Sequence, residues 1–124
     1  MTREGFVFPL SFGQQRLWFF EQFEPGAAVY NLPFAYRLNG LLSVRALEVG
    51  INEIVRRHET LRTTFAVDQG RPVQIVAPSL TLSVESIDLR QSSAASRETE
   101  ARQFLARECR RPLDLVSGPL LRAY

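Results

Sequence analysis

The sequence predicts an α/β domain in which a small sheet is packed by helices. The order of its segments is the first reason. Runs with apolar residues at three- and four-residue steps alternate with short β-rich runs, giving helix, strand, helix, hairpin, strand, helix, strand. Composition is the second. Of 124 residues, 45% are hydrophobic and 23% charged, the balance of a chain that buries a core without disulfide staples. Residues 1–124 show no internal repeat, low-complexity stretch or interdomain linker, so they read as one unit.

The elements follow in order. Phe6 to Leu10 is a short apolar lead-in ending at Pro9. Ser11-Phe12-Gly13-Gln14 has the Ser-x-x-Gln form of a capping box and opens a helix that runs to about Phe23. Leu17, Trp18, Phe19, Phe20 and Phe23 cover more than half of that helix's circumference, which predicts burial on several sides. Glu24 to Asn31, with Pro25-Gly26, is a loop, and Asn31 to Asn39 is a strand closed by Gly40. Ser43 caps a second helix to about Glu59, with Val44, Leu47, Ile51, Ile54 and Val55 on one stripe. Gly50 costs that helix about 1 kcal/mol relative to alanine, so a close contact is expected over it.

Leu61 to Val67 and Pro72 to Ala77 form a hairpin around Asp68-Gln69-Gly70-Arg71. Leu80 to Ile87 is a further strand. Ser92 to Arg111 is a helix with Ala101, Phe104, Leu105 and Cys109 inward and Glu98-Arg102 as an i,i+4 pair. Arg110 and Arg111 suit its C-terminal dipole, and Pro112 stops it. After Gly118-Pro119, Leu120 to Tyr124 reads as a strand that has only begun, so the chain is expected to be cut.

Several function classes are disfavoured. All 15 Lys and Arg positions are arginine, a choice a GC-rich genome explains, and the net charge of +2 is too small for a nucleic-acid footprint. Arginines and acids are interspersed, which weighs against that class again. One Cys and one His leave no disulfide and no metal cage, and Cys109 reads as packed core. No apolar run is long enough for a membrane span and no secretory leader is seen, so a cytoplasmic setting is expected. The glycines form no phosphate loop. His58 lies near the end of the second helix, about 40° from Val44 around its axis, and has no evident nucleophile or orienting partner.

Three segments stand out. Ser11-Phe12-Gly13-Gln14-Gln15-Arg16-Leu17-Trp18-Phe19-Phe20 resembles the SxAQxRLWxL motif of nonribosomal peptide synthetase condensation domains, with Gly13 and Phe20 as departures. Arg57-His58-Glu59-Thr60-Leu61-Arg62-Thr63-Thr64-Phe65 matches that family's RHExLRTxF motif at every fixed position. Pro112-Leu113-Asp114-Leu115, followed by Gly118-Pro119-Leu120-Leu121-Arg122, is similar to its PFDLxxGPLLR stretch, with Leu113 in place of Phe. The resemblance covers about residues 8–124.

What the resemblance implies is an incomplete N-terminal lobe, with a mixed sheet, of a chloramphenicol-acetyltransferase-like fold. Two such lobes form a V around an active-site tunnel. The intact domain is an amide-forming acyltransferase of secondary metabolite biosynthesis. It joins a donor acyl or peptidyl thioester to an acceptor aminoacyl thioester. The substrates ride on phosphopantetheine arms of partner carrier domains, with no cofactor bound directly. Expected partners are these carriers, adjacent synthetase domains and the rest of the condensation domain.

The family's HHxxxDG signature is not in this sequence, so no catalytic residue is carried over and the chain alone is expected to be inactive. The alternative is a non-catalytic docking module or a degenerate condensation-like remnant.

In a strand, Leu61, Thr63, Phe65 and Val67 would share the core face, leaving Arg62 among Thr64 and Ala66 on the other. If buried, Arg62 needs a carboxylate. By resemblance, an arginine of these motifs pairs with the aspartate of HHxxxDG. Arg62 is the first candidate for that inter-motif ion pair and Arg16 the second. An ordinary surface or local ion pair is the other reading for each.

Overall fold

A computed structural model describes residues 5–124. Its regular elements are β1 (Phe6–Pro9), α1 (Phe12–Phe23), α2 (Val44–Arg57), β2 (Thr63–Asp68), β3 (Arg71–Val76) and α3 (Ala94–Cys109). Short 3-10 turns cover Ala28–Tyr30 and Glu59–Arg62.

The hairpin forms as expected. Asp68 and Arg71 face each other across a two-residue turn in which Gln69 (φ 47°) and Gly70 (φ 76°) are both left-handed. That conformation carries the strand twist through the turn. The Phe6 to Leu10 lead-in supplies a third strand. β1 pairs antiparallel with β3, Phe6 opposite Val76 and Pro9 opposite Val73, so the sheet order is β1-β3-β2. Pro9 has no N–H to give a ladder, and β1 accordingly lies at the sheet edge.

Both expected N-caps are present. The Ser11 side chain accepts from the Gln14 N–H at 3.3 Å, and the Gln14 Oε1 accepts from the Ser11 N–H at 2.8 Å, closing the capping box. Ser43 accepts from the Ala46 N–H and opens α2. The third helix is shorter than expected, capped by Ser93 and ending at Cys109. Its Glu98–Arg102 pair forms at 3.0 Å.

The apolar core is small: Leu10, Trp18, Val55, Val76 and Leu82 are buried, beside buried Thr63. Several expectations change for this reason. Only Trp18 of the α1 aromatics is buried, while Phe12, Phe19 and Phe23 stand in solvent. The described elements pack against the Trp18 face of α1 and leave its other faces uncovered. On α3, Leu105 is exposed and Cys109 half-buried. Gly50 meets nothing within 4 Å, so the contact expected over it is absent among the described residues.

Asn31 to Asn39 is not a strand: no described residue forms a ladder with it, and β structure exists only in pairs. Arg37 in this stretch instead reaches Glu98 on α3 at 2.6 Å. The expected strands at Leu80 to Ile87 and Leu120 to Tyr124 reduce to one parallel bridge, Val84 with Ala123. The sheet proper is wholly antiparallel, and that bridge is the parallel pairing beside it.

Polar side chains do much of the joining. Asn52 on α2 brackets the Leu82 backbone, its Nδ2 donating to Leu82 O and its Oδ1 accepting from Leu82 N, both at 2.8 Å. Glu48, one turn earlier, accepts from the Val84 N–H at 2.8 Å. Asn31 donates to the carbonyls of Cys109 and Arg111, satisfying the end of α3. Among the described residues no helix is long and apolar enough to cross a membrane.

Candidate functional site

Arg62 belongs to the 3-10 turn and not to β2, because His58 ends α2 and the chain turns once more before the strand. The expected two-faced alternation therefore begins only at Thr63, and Arg62 points back beneath the helix. Its side chain is 12% exposed. Nε donates to Ala77 O at 2.8 Å, Nη1 to Val55 O and Arg56 O at 3.4 and 3.2 Å, and Nη2 to Glu59 Oε1 at 3.2 Å. One guanidinium thus ties the open carbonyls at the α2 terminus to the residue after β3. The carboxylate that burial demands is Glu59, itself well exposed. The Glu59–Arg62 spacing of three residues was the available signal for this pair.

Thr63 completes the junction by donating its hydroxyl to Glu59 O at 2.8 Å. On the preceding turn, Arg56 and Arg57 both reach Glu53 at 2.7 Å and hold its carboxyl down to about 2. His58, the residue that closes the second helix, is exposed, and its imidazole has no hydrogen-bond partner among the described residues. Arg16 is exposed on α1 and makes no ion pair among the described residues. It is not brought near Arg62 by any described contact.

The three sequence motifs meet elsewhere, around a cavity of about 240 Å³. Gln14, Leu17 and Trp18 come from the first motif, Phe65 from the second, and Leu113, Leu115 and Leu120 from the third. Trp18 and Phe65 lie with ring centroids 6.3 Å apart, tilted at 43°. The Leu115 carbonyl accepts from the Phe65 N–H at 2.8 Å, which draws the third segment against β2. Gly118 permits the close approach: its φ is +60°, and a Cβ there would sit 2.7 Å from the Thr64 methyl. Sequence reasoning did not foresee this convergence, since motif spacing carries no information about which faces meet.

The Condensation domain family model matches residues 6–124. A linear gramicidin synthase of Brevibacillus parabrevis is 47% identical over 115 residues, covering 93% of this chain and 2% of that protein. Phosphinothricin tripeptide synthetase PhsC of Streptomyces viridochromogenes is 44% identical over 114 residues, covering 92% of this chain and 10% of that protein. Among solved structures, the starter condensation domain of rhizomide synthetase RzmA superposes with a TM-score of 0.76 at 19% identity. The match covers 94% of this chain and 29% of that one. Holo-AB3403, a four-domain nonribosomal peptide synthetase, gives 0.76 at 20% identity, over 94% of this chain and 9% of its own. The chain therefore spans a small fraction of its curated relatives and under a third of the RzmA domain.

Proposed function

The chain belongs to the condensation domain family, and from that premise we propose that it forms the N-terminal lobe of one condensation domain in a nonribosomal peptide synthetase. In the intact domain the amine nitrogen of an acceptor aminoacyl thioester attacks the carbonyl carbon of a donor acyl or peptidyl thioester. The C–N bond forms, the C–S bond breaks, and the nitrogen's proton balances the departing thiolate. Both substrates arrive on phosphopantetheine arms of carrier domains, which with the neighbouring synthetase domains are the partners, in the cytoplasm.

The lobe's part is to shape and brace. Family membership over residues 6–124, with the three motifs gathered on one cavity, is the observation that carries this reading. The group that moves or positions the proton lies outside these residues. Arg62 acts as an active-site scaffold. A guanidinium has five N–H donors, and four hydrogen bonds are made within the lobe. The remaining Nη2 hydrogen is the one offered to the aspartate of HHxxxDG. Arg16, on α1 without an ion pair among the described residues, is the second candidate for such a contact.

Carrier domains loaded with donor and acceptor test this directly. Product is expected from the protein carrying both lobes and none from residues 1–124 alone. Turnover by the 124 residues would place the reacting groups within them and overturn the assignment. In the two-lobed protein, Arg62→Ala is expected to lower turnover and melting temperature together, whereas unchanged values for both would remove its scaffold role.

A further inference from the structure

The cavity on which the motifs converge has a chemical character of its own. We propose that it is a binding site for an uncharged aromatic group of bicyclic size, such as an indole. Its volume of about 240 Å³ is the first argument. An apolar cavity of about 150 Å³ takes a single benzene ring, so this one has room for a second fused ring.

The walls are the second argument. Trp18, Phe65 and Tyr30 line the cavity together with four leucines. Such a lining favours flat, polarizable groups in offset or edge-on contact.

The third is what the polar lining groups already do. Gln14 accepts from the Ser11 N–H and donates to Gln74 Oε1 at 3.1 Å. Asn31 directs its amide hydrogens to Cys109 O and Arg111 O. Glu21 accepts from the Gly26 N–H through Oε1 at 3.0 Å, while its Oε2 has no partner among the described residues. Among the described residues no cationic side chain lines the cavity. An anionic ligand would meet the Glu21 carboxylate without compensation, whereas a neutral ring bearing an N–H has in Glu21 a lining residue able to accept it.

Isothermal titration of the full-length protein with indole tests the site without requiring catalysis, so its failure leaves the condensation reading standing. Saturable indole binding is expected, with indole-3-carboxylate at least about ten-fold weaker. Leu115→Trp, which fills the space, is expected to abolish binding. Glu21→Gln preserves the shape and is expected to narrow the discrimination to under about three-fold.

Competition separates two sources of the ring. Displacement of indole by the tryptophan thioester of N-acetylcysteamine, and not by the glycine thioester, identifies a carried aminoacyl group. Displacement by neither identifies a free ligand of the same chemistry. The proposal is overturned if indole does not saturate, if the anion binds equally well, or if a folded Leu115→Trp protein binds indole unchanged. Should Leu115→Trp fail to fold, the Glu21→Gln comparison decides alone.

Discussion

The guanidinium Nε of Arg62 donates to the carbonyl oxygen of Ala77 at 2.8 Å, joining the turn before β2 to the residue that follows β3. The same group also reaches Val55 and Arg56 at the end of α2. Removing it strands two partly buried carbonyls, those of Ala77 and Val55, and hydrogen bonds to a charged donor are worth about 1.5–3 kcal/mol. Arg62→Ala is therefore expected to cost about 2–4 kcal/mol in urea unfolding. Arg62→Lys should recover only part of this, since an ammonium has no fork to reach Ala77 and Val55 together. Glu59→Gln should cost under about 1 kcal/mol, because that carboxylate is well exposed. Equal losses for Arg62→Ala and Glu59→Gln would show that the ion pair, and not the carbonyl contacts, carries the junction.

Asn52 makes a second junction. Its amide supplies both halves of a ladder rung to the Leu82 backbone, so Leu82 is held to α2 by a side chain where Val84, two residues on, is bridged to Ala123. Asn52→Ala leaves a partly buried donor and acceptor unmet and is expected to cost about 1–3 kcal/mol. Hydrogen exchange should report the change locally. Protection at the Leu82 amide should fall well before that of β3, and equal loss at both would mean the rung is not the local restraint.

Two glycines should respond in opposite directions. Nothing lies within 4 Å of a Cβ at Gly50, so Gly50→Ala should stabilise α2 by up to about 1 kcal/mol. Gly118→Ala meets the Thr64 methyl at 2.7 Å in a left-handed conformation and should destabilise by about 1–3 kcal/mol. Adding Thr64→Ser removes the methyl and should restore part of the loss, leaving the backbone component. Thermal melts of the single and double variants make the comparison. An additive double variant would separate the two positions.

Glu53 sets a pH dependence. Hydrogen bonds from Arg56 and Arg57 hold its carboxyl at about 2, below the ordinary value of 4.5. The folded chain then binds protons at Glu53 less readily than the unfolded chain. Its contribution is whole above pH 4.5 and is lost as the pH falls through the folded value near 2. Glu53→Gln should therefore flatten the fall in urea midpoint between about pH 5 and about pH 3. The pair is solvent-exposed, so added salt should shrink the difference. An identical acid limb in both proteins would show that the pair contributes nothing to folding.

Local signals were legible in the sequence where neighbours along the chain decide the outcome. Ser11 with Gln14, Ser43 before α2, and the Gln69-Gly70 turn each need only residues within one turn of themselves. Arg62 shows where that stops. Alternation placed it in a strand, but the extra turn after His58 delays β2 by two residues and swings the side chain under α2. Asn31 to Asn39 has β composition, yet composition does not supply a partner strand. The cavity depended on packing alone. Trp18, Phe65 and Leu115 meet through the Phe65–Leu115 hydrogen bond and the opening at Gly118, neither of which leaves a periodic trace.

The β1-β3-β2 order also dictates a sequence of assembly. β2 and β3 close through a two-residue turn, a short loop that forms early with little entropy lost. β1 must return across about 60 residues to place Pro9 beside Val73, so its docking is a long-range contact that closes a much larger loop than the hairpin does. It does not return alone. Gln74 donates to Pro9 O and accepts from Gln14, which makes the β3 surface the place where strand and helix are captured together. The edge strand and α1 are thus held to β3 as one piece, and the wall that α1 gives the cavity is anchored through that single side chain.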